Sequence, residues 1–182
     1  MSNTTVARLY DTYEAAAAVV RELETAGVPA DDISVIANNA GDRTVTTKHG
    51  NEAAPGAEIG AGVGAVAGGG VGVLAGLGML AIPGVGPVVA AGWLVALAVG
   101  AVGGAAAGGL LGGLVGSGIS KEHAEVYAEG VRRGGTLVSA RVPAEQEGRI
   151  ASIMGRNAVD PGVRRQEYTS AGWTGYDPDQ PI

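Results

Sequence analysis

EIGAGVGAVAGGGVGVLAGLGMLAIPGVGPVVAAG, residues 58–92, opens a run in which no charged side chain occurs between Glu58 and Lys121. Within it Gly60, Gly64, Gly68, Gly72 and Gly76 recur at every fourth position. Beyond a break at residues 83–87, a second ladder follows at Gly100, Gly104, Gly108, Gly112 and Gly116. On a helix, a spacing of four lines residues up along one inclined ridge. A ridge of glycine is a groove that another backbone can enter, and such small-residue rows are a recurrent contact surface of helices in lipid. Glycine costs a helix about 1 kcal/mol per residue relative to alanine. In hydrocarbon an unpaired backbone amide costs several times that, so helix still wins there. Residues 59–82 and 88–119 each exceed the ~20 residues that cross a bilayer core. With Pro83, Gly84, Gly86 and Pro87 supplying a compact reversal, the ladders predict an antiparallel helical hairpin over residues 58–119.

Two rival readings use the same residues. A Gly/Ala-rich stretch can be a flexible linker, but a linker has no reason to hold a four-residue register or to carry Leu74, Leu77, Leu80, Leu94, Leu97, Leu110, Leu111 and Leu114. Alternatively the hairpin stays helical outside lipid, with its Val and Leu faces hidden between copies in a soluble homo-oligomer.

The flanks read as ordinary folded protein. Residues 4–10 (TTVARLY) have strand character, and Asp11 with Glu14 forms a D-x-x-E helix start. Ala16, Val19, Val20 and Leu23 then mark one helical face, Gly27 and Pro29 end it, and residues 33–37 form a second β-rich run. The other flank repeats this grammar. Residues 136–142 (TLVSARV) are strand-like, Ile150, Ala151, Ile153 and Met154 give a helical face, Asn157 or residues 160–162 end it, and residues 163–168 suit a last strand. Ahead of that half lies a further helix, N-capped by Ser120, with Ala124, Tyr127, Ala128 and Val131 as its inner stripe and Gly134 and Gly135 as its stop.

Two βαβ halves describe an α+β, ferredoxin-like βαβ–βαβ sandwich. Its domain plan is a first half at 1–37, a polar linker at 38–57, the hairpin at 58–119, the helix and second half at 120–168, and a flexible tail at 169–182. The hairpin sits between the second and third strands, which are neighbours in such a sheet, so its two ends leave from one edge. Trp173 and Tyr176 are candidates to anchor the tail on the domain or at a lipid interface.

AIPGVGPVVAAG (81–92), GGAAAGGLLGGLVGSGISKEHAEVYAEGVRRGGTLVSARV (103–142) and GWTGYDP (172–178) together make the chain resemble a bacterial family of general-stress or low-temperature-induced proteins with a glycine-zipper core. The resemblance implies stress-associated expression and membrane association. It implies no catalytic residue.

Composition narrows the remaining chemistry. The formal net charge of −6 lies entirely in the flanks and argues against a nucleic-acid partner, which needs a basic footprint. No cysteine is present, so there is no disulfide framework or thiolate site, which suits a reducing compartment. Residues 1–10 lack the basic and apolar regions of a secretory signal. His49 and His123, the two histidines, have no clustered acidic or Cys partner for a metal. Glu122, Glu125 and Glu129 read as a solvated helix face, and Ser117 and Ser120 as helix-end caps. GAGVGAVAGGG (60–70) is not a dinucleotide loop, because it lacks the acidic residue about 20 positions on. Arg132, Arg133, Arg164 and Arg165 are paired cations able to touch phosphate or anionic headgroups, against an ordinary role as surface charge.

These features predict a non-enzymatic, stress-associated protein with no metal, cofactor or small-molecule substrate. Its hairpin enters the cytoplasmic membrane or drives self-association, and its α+β domain stays in the cytoplasm. The alternatives are a soluble cytoplasmic assembly and a small-ligand-binding module on the sheet.

Overall fold

The computed structural model describes residues 3–38, 78–82, 86–94 and 109–177. It is an α+β fold built on a five-stranded sheet in which every neighbouring pair is antiparallel. In chain order the elements are β1 (Asn3–Tyr10), α1 (Tyr13–Thr25), β2 (Ile33–Asn38), β3 (Gly78–Ile82), β4 (Gly86–Ala91), α2 (Gly109–Gly116), α3 (Lys121–Arg132), β5 (Thr136–Pro143), α4 (Glu147–Met154) and α5 (Pro161–Ser170). The sheet order is β1-β5-β2-β4-β3, so β1, β2 and β3 run one way and β5 and β4 fill the gaps between them.

Successive strand residues point to opposite faces, and here both faces are buried. Val6 and Tyr10 of β1, Ile33 and Val35 of β2, and Val138, Ala140 and Val142 of β5 pack with Ala16, Val19, Val20 and Leu23 of α1 and with Ile150 and Met154 of α4. On the other face Ala7, Leu9, Ile36, Val88, Ala90 and Leu137 meet Leu110 and Leu114 of α2 and Ala124, Tyr127, Ala128 and Val131 of α3. Helices therefore cover the sheet on two sides, where the sequence predicts a two-layer sandwich. The caps are largely local. Ser120 accepts the His123 N–H at the head of α3, and Thr12, rather than Asp11, accepts the Ala15 N–H at the head of α1.

The central stretch departs from its helical expectation. Residues 78–82 and 86–91 are strands, paired with each other from Gly78↔Ala90 to Ile82↔Gly86, and β4 is zipped to β2 from Val35↔Ala91 to Asn38↔Val88. GMLAI and PVVAA are apolar throughout in sequence, so they carry no alternation that sets them apart from the glycine ladders around them. Pairing with β2 supplies the backbone hydrogen bonds that a lipid-embedded helix would have supplied internally. Gly86 and Pro87 are thus the first residues of β4, and Pro87 lies past the last β2 partner, where its missing N–H breaks no bond to that strand. Pro83 and Gly84 lie outside the described residues.

The end of β4 and the residues after it, as far as Leu94, are tied to the domain. Ser34 Oγ donates to the Ala91 carbonyl (2.8 Å) and Trp93 Nε1 donates to the Asp32 carbonyl (3.1 Å). Arg141 bridges to Asp32 at 2.9 Å with its guanidinium 4.7 Å from the centre of the Trp93 ring. Among the described residues, no helix is long and apolar enough to cross a membrane.

The second flank also differs at its end. Residues 163–168, expected as a strand, lie in α5. Asp160, expected as part of a stop signal, is its N-cap and accepts the Val163 N–H (2.9 Å), with Pro161 at the first turn. What remains of a fourth strand beside β1 is one bridge, Leu9↔Val159. The open edge of β1 is blunted there: the Leu9 carbonyl accepts the Val159 N–H, and the Ala7 carbonyl accepts from the Tyr127 hydroxyl and from Arg8.

Candidate functional site

The ladder residues fall into two groups. Gly60, Gly64, Gly68, Gly72, Gly76, Gly100, Gly104 and Gly108 lie outside the described residues, as does His49. In α2, Gly112 is half-buried and Gly116 exposed, with open space where a Cβ would stand on Gly116. The side of this helix turned to the core is instead Gly109, Leu110, Gly113 and Leu114.

The densest cluster of charge lies where α3 ends, in EGVRRGG (129–135). Glu129 is 0% exposed, which corrects its reading as part of a solvated face. Glu122 at the start of α3 is exposed and Glu125 half-buried. One full turn on, the buried Glu129 carboxylate accepts from Arg132 Nε (2.9 Å), a terminal nitrogen of Arg132 (2.8 Å) and Arg133 Nε (2.5 Å). The spacing i, i+3, i+4 that brings these three together is present in the sequence. Their burial is not. Hydrogen bonding to Glu129 holds the Arg132 guanidinium above its usual pKa, against the opposing effect of burial.

Gly130 makes this geometry possible. A Cβ there would collide with Leu9 Cδ2 and stand 3.0 Å from Cδ1 and 3.2 Å from Cγ of the same side chain. The missing side chain lets α3 lie directly on β1, which carries Arg132 and Arg133 to the C-terminal ends of β1 and β2. There the Arg132 carbonyl accepts from Asn38 Nδ2 (2.9 Å).

The other arginine pair, some thirty residues away in sequence, arrives on α5. Arg133 and Arg164 approach the same Tyr168 ring, at 4.5 and 5.9 Å from its centre, within cation–π range. Arg164 also reaches Asp11 (2.7 Å) and Glu167 (3.3 Å). Arg165 turns the other way, to the Glu122 carbonyl, the Glu125 carboxylate and the Trp173 ring. Trp173 stands edge-on to Tyr168 at 5.7 Å, and both pack with Val126 of α3. The tail thus lies against the domain as far as Asp177, with Trp173 buried and Tyr176 half-buried. Arg132, Arg133, Arg164, Asp11, Asn38 and Tyr168 line a cleft of about 500 Å³ at this end of the sheet.

Chemically the cleft is built for holding charge. Guanidiniums stay protonated, and burial raises the Tyr168 phenol above its usual value despite Arg164 and Arg133 beside it. Tyr176 is pushed up to about 12, again chiefly by burial. His123 is exposed on α3, with its ring 6.2 Å from that of Tyr127. Among the described residues, no group of three His, Asp or Glu side chains could hold a metal ion.

The buried phenols give a pH prediction. Burial raises Tyr10 and Tyr127 above 10 in the folded chain, so folding holds those protons more tightly than the unfolded state does. Stability is therefore fully present below pH about 10 and falls as pH rises toward the folded values, by at most about 1.4 kcal/mol per pH unit for each phenol. Urea unfolding followed across the alkaline range, alongside phenolate absorbance, is expected to show both changes together.

No model of a known family, no curated protein and no solved structure matches this chain.

Proposed function

We propose that the chain is a non-enzymatic association protein, in which the glycine-laddered stretches pack closely against other copies of the chain. The anchoring of those stretches carries the reading. Residues 39–77 lie between β2 and β3, and residues 95–108 lie between Leu94 and α2, so each leaves and rejoins one folded body. The first stretch holds the complete ladder of Gly60, Gly64, Gly68, Gly72 and Gly76.

This anchoring favours copies over a bilayer. Two crossings need a pair of uncharged spans of about 20 residues each. Residues 59–77 offer one such span, but the path back through 39–58 carries Asp42, Arg43, Lys48, Glu52 and Glu58. Residues 95–108 would reach only about 21 Å even as a straight helix, against a core of about 30 Å. A second reading, docking of the same stretches at a lipid–water interface, is favoured by the lack of any charge from 59 to 120. The order β1-β5-β2, with α1 linking parallel β1 and β2, supports a ferredoxin-like reading of that half of the sheet. The stress setting implied by the family resemblance belongs to the same proposal.

Sedimentation of the full-length chain, together with membrane fractionation and carbonate extraction, tests it. Assembly in the soluble fraction is expected, and Gly68→Leu or Gly108→Leu should raise the dissociation constant at least tenfold, about 1.4 kcal/mol. A monomeric chain, or an assembly indifferent to both substitutions, ends the proposal. Recovery in carbonate-resistant membranes transfers it to lipid.

A further inference from the structure

We propose that the cleft between the end of α3 and the start of α5 binds a phosphate monoester, its dianionic group held by Arg133 and Arg164.

Three observations carry this beyond a chance meeting of surface charges. Arg133 is fixed on two sides, by its Nε bond to Glu129 and by the Tyr168 ring beneath its guanidinium. That arrangement uses Nε alone, so both terminal amino groups of Arg133, with four N–H donors, have no protein acceptor among the described residues. A planar guanidinium held in place with its terminal fork unengaged is suited to bidentate recognition of an oxyanion.

The second observation is the state of Arg164. Its carboxylate partners are exposed, Asp11 at 66% and Glu167 at 57% of their side chains, and exposed ion pairs contribute little. Asp11 also lines the cleft, so its carboxylate occupies the place that an incoming oxyanion would take on Arg164.

The third is the balance of charge. Glu129 offsets one of the two guanidiniums it holds, while Asp11 and Glu167 more than offset Arg164. The three guanidiniums are matched by three carboxylates, so no net positive charge exists to attract every anion. A chloride meets one guanidinium at a time, whereas the three terminal oxygens of a phosphate monoester can replace Asp11 on Arg164 and engage the free fork of Arg133 together. The cleft, at about 500 Å³, is far larger than a phosphate group. That room leaves space for a small organic body attached to the phosphate.

Two sources supply this chemistry, a soluble phosphate ester and the monoester headgroup of phosphatidic acid. The test titrates the full-length chain with inorganic phosphate and with glycerol phosphate by calorimetry, at ionic strength fixed with chloride. Parallel arms measure co-sedimentation with phosphatidylcholine vesicles with and without phosphatidic acid. Saturable binding in the sub-millimolar to millimolar range is expected, roughly that of a two-arginine site, and Arg133→Gln and Arg164→Gln should each weaken it tenfold or more. Asp11→Asn should tighten it, a gain that a merely structural role for these residues would not give. Arg149→Gln, an exposed arginine elsewhere, is the control, and thermal melts establish that each variant folds. Binding of glycerol phosphate assigns a soluble ligand. Binding only to vesicles containing phosphatidic acid, with loss in Arg133→Gln, assigns the headgroup. No saturable binding in either arm, or binding that Arg133→Gln, Arg164→Gln and Asp11→Asn leave unchanged, overturns the proposal.

Discussion

Replacing Gly92 by alanine is expected to detach β4, and β3 with it, from the rest of the sheet. Gly92 follows β4 with φ +98, a left-handed conformation that costs an L-residue about 1–3 kcal/mol. An added Cβ would also run into the Ile33 carbonyl oxygen and stand 2.6 Å from Ser34 Cα and 2.8 Å from Ser34 Cβ. Most of these are atoms of the β2 backbone, which cannot swing aside as a side-chain tip would. Strain and overlap together put the loss on the order of 4 kcal/mol or more, a size that otherwise marks disruption of a core. Hydrogen exchange should report it locally: amides of β3 and β4 lose protection while those of β1 and β5 keep theirs. Gly116→Ala is the contrast. It sits in a helix with nothing within 4 Å of the new methyl, and should be neutral or gain up to about 1 kcal/mol. Equal unfolding midpoints for Gly92→Ala and the parent chain would show that β4 does not pack on β2. The membrane hairpin over residues 58–119 would then regain its case.

That experiment bears on the one large structural feature the sequence conceals. Helices α1 and α3 are legible because each has one apolar face against polar neighbours, so a 3.6-residue period stands out. Strands β1, β2 and β5 are legible because turns and caps bracket them. In residues 78–91 both aids fail, since a run that is apolar throughout has no period of its own and glycine ladders supply a false one. The local clues are Pro83, Gly84 and Pro87 around β-branched Val88 and Val89, a pattern that suits a hairpin of strands as well as one of helices. Helix α5 is hidden for a different reason. Asp160-Pro161 is a plausible stop for the helix before it and an equally plausible start for one after it, and only the seat of Tyr168 on α3 decides between them. The cleft inherits that ambiguity. Arg132 and Arg133 meet Arg164 because α5 folds back over α3, and no spacing within the chain encodes that contact.

Glu129→Ala is the second substitution expected to have a large effect, a loss of about 3–5 kcal/mol, against 1 kcal/mol or less for an exposed ion pair. The size comes from the charge left behind. Arg132, with its side chain only 11% exposed, would keep its charge and lose the carboxylate that meets two of its nitrogens, and a buried guanidinium cannot shed its proton in response. Glu129→Gln retains the shape and one acceptor oxygen, so it should fall between. Replacing Glu129 and Arg132 together by apolar residues of similar volume should recover part of the loss, since the penalty comes from isolating one charge and not from lacking the pair. Salt offers an independent check. Because Glu129 is fully buried, added salt should narrow the gap between parent and variant far less than it does for the exposed pair Arg156–Glu22. Loosening Arg133 should also unseat Tyr168 and shift the emission of Trp173, which stands against that ring. A Glu129→Ala chain no less stable than Glu122→Ala, with Trp173 emission unchanged, would mean that the carboxylate is solvated after all. The cleft would then have lost the group that holds Arg133 in place.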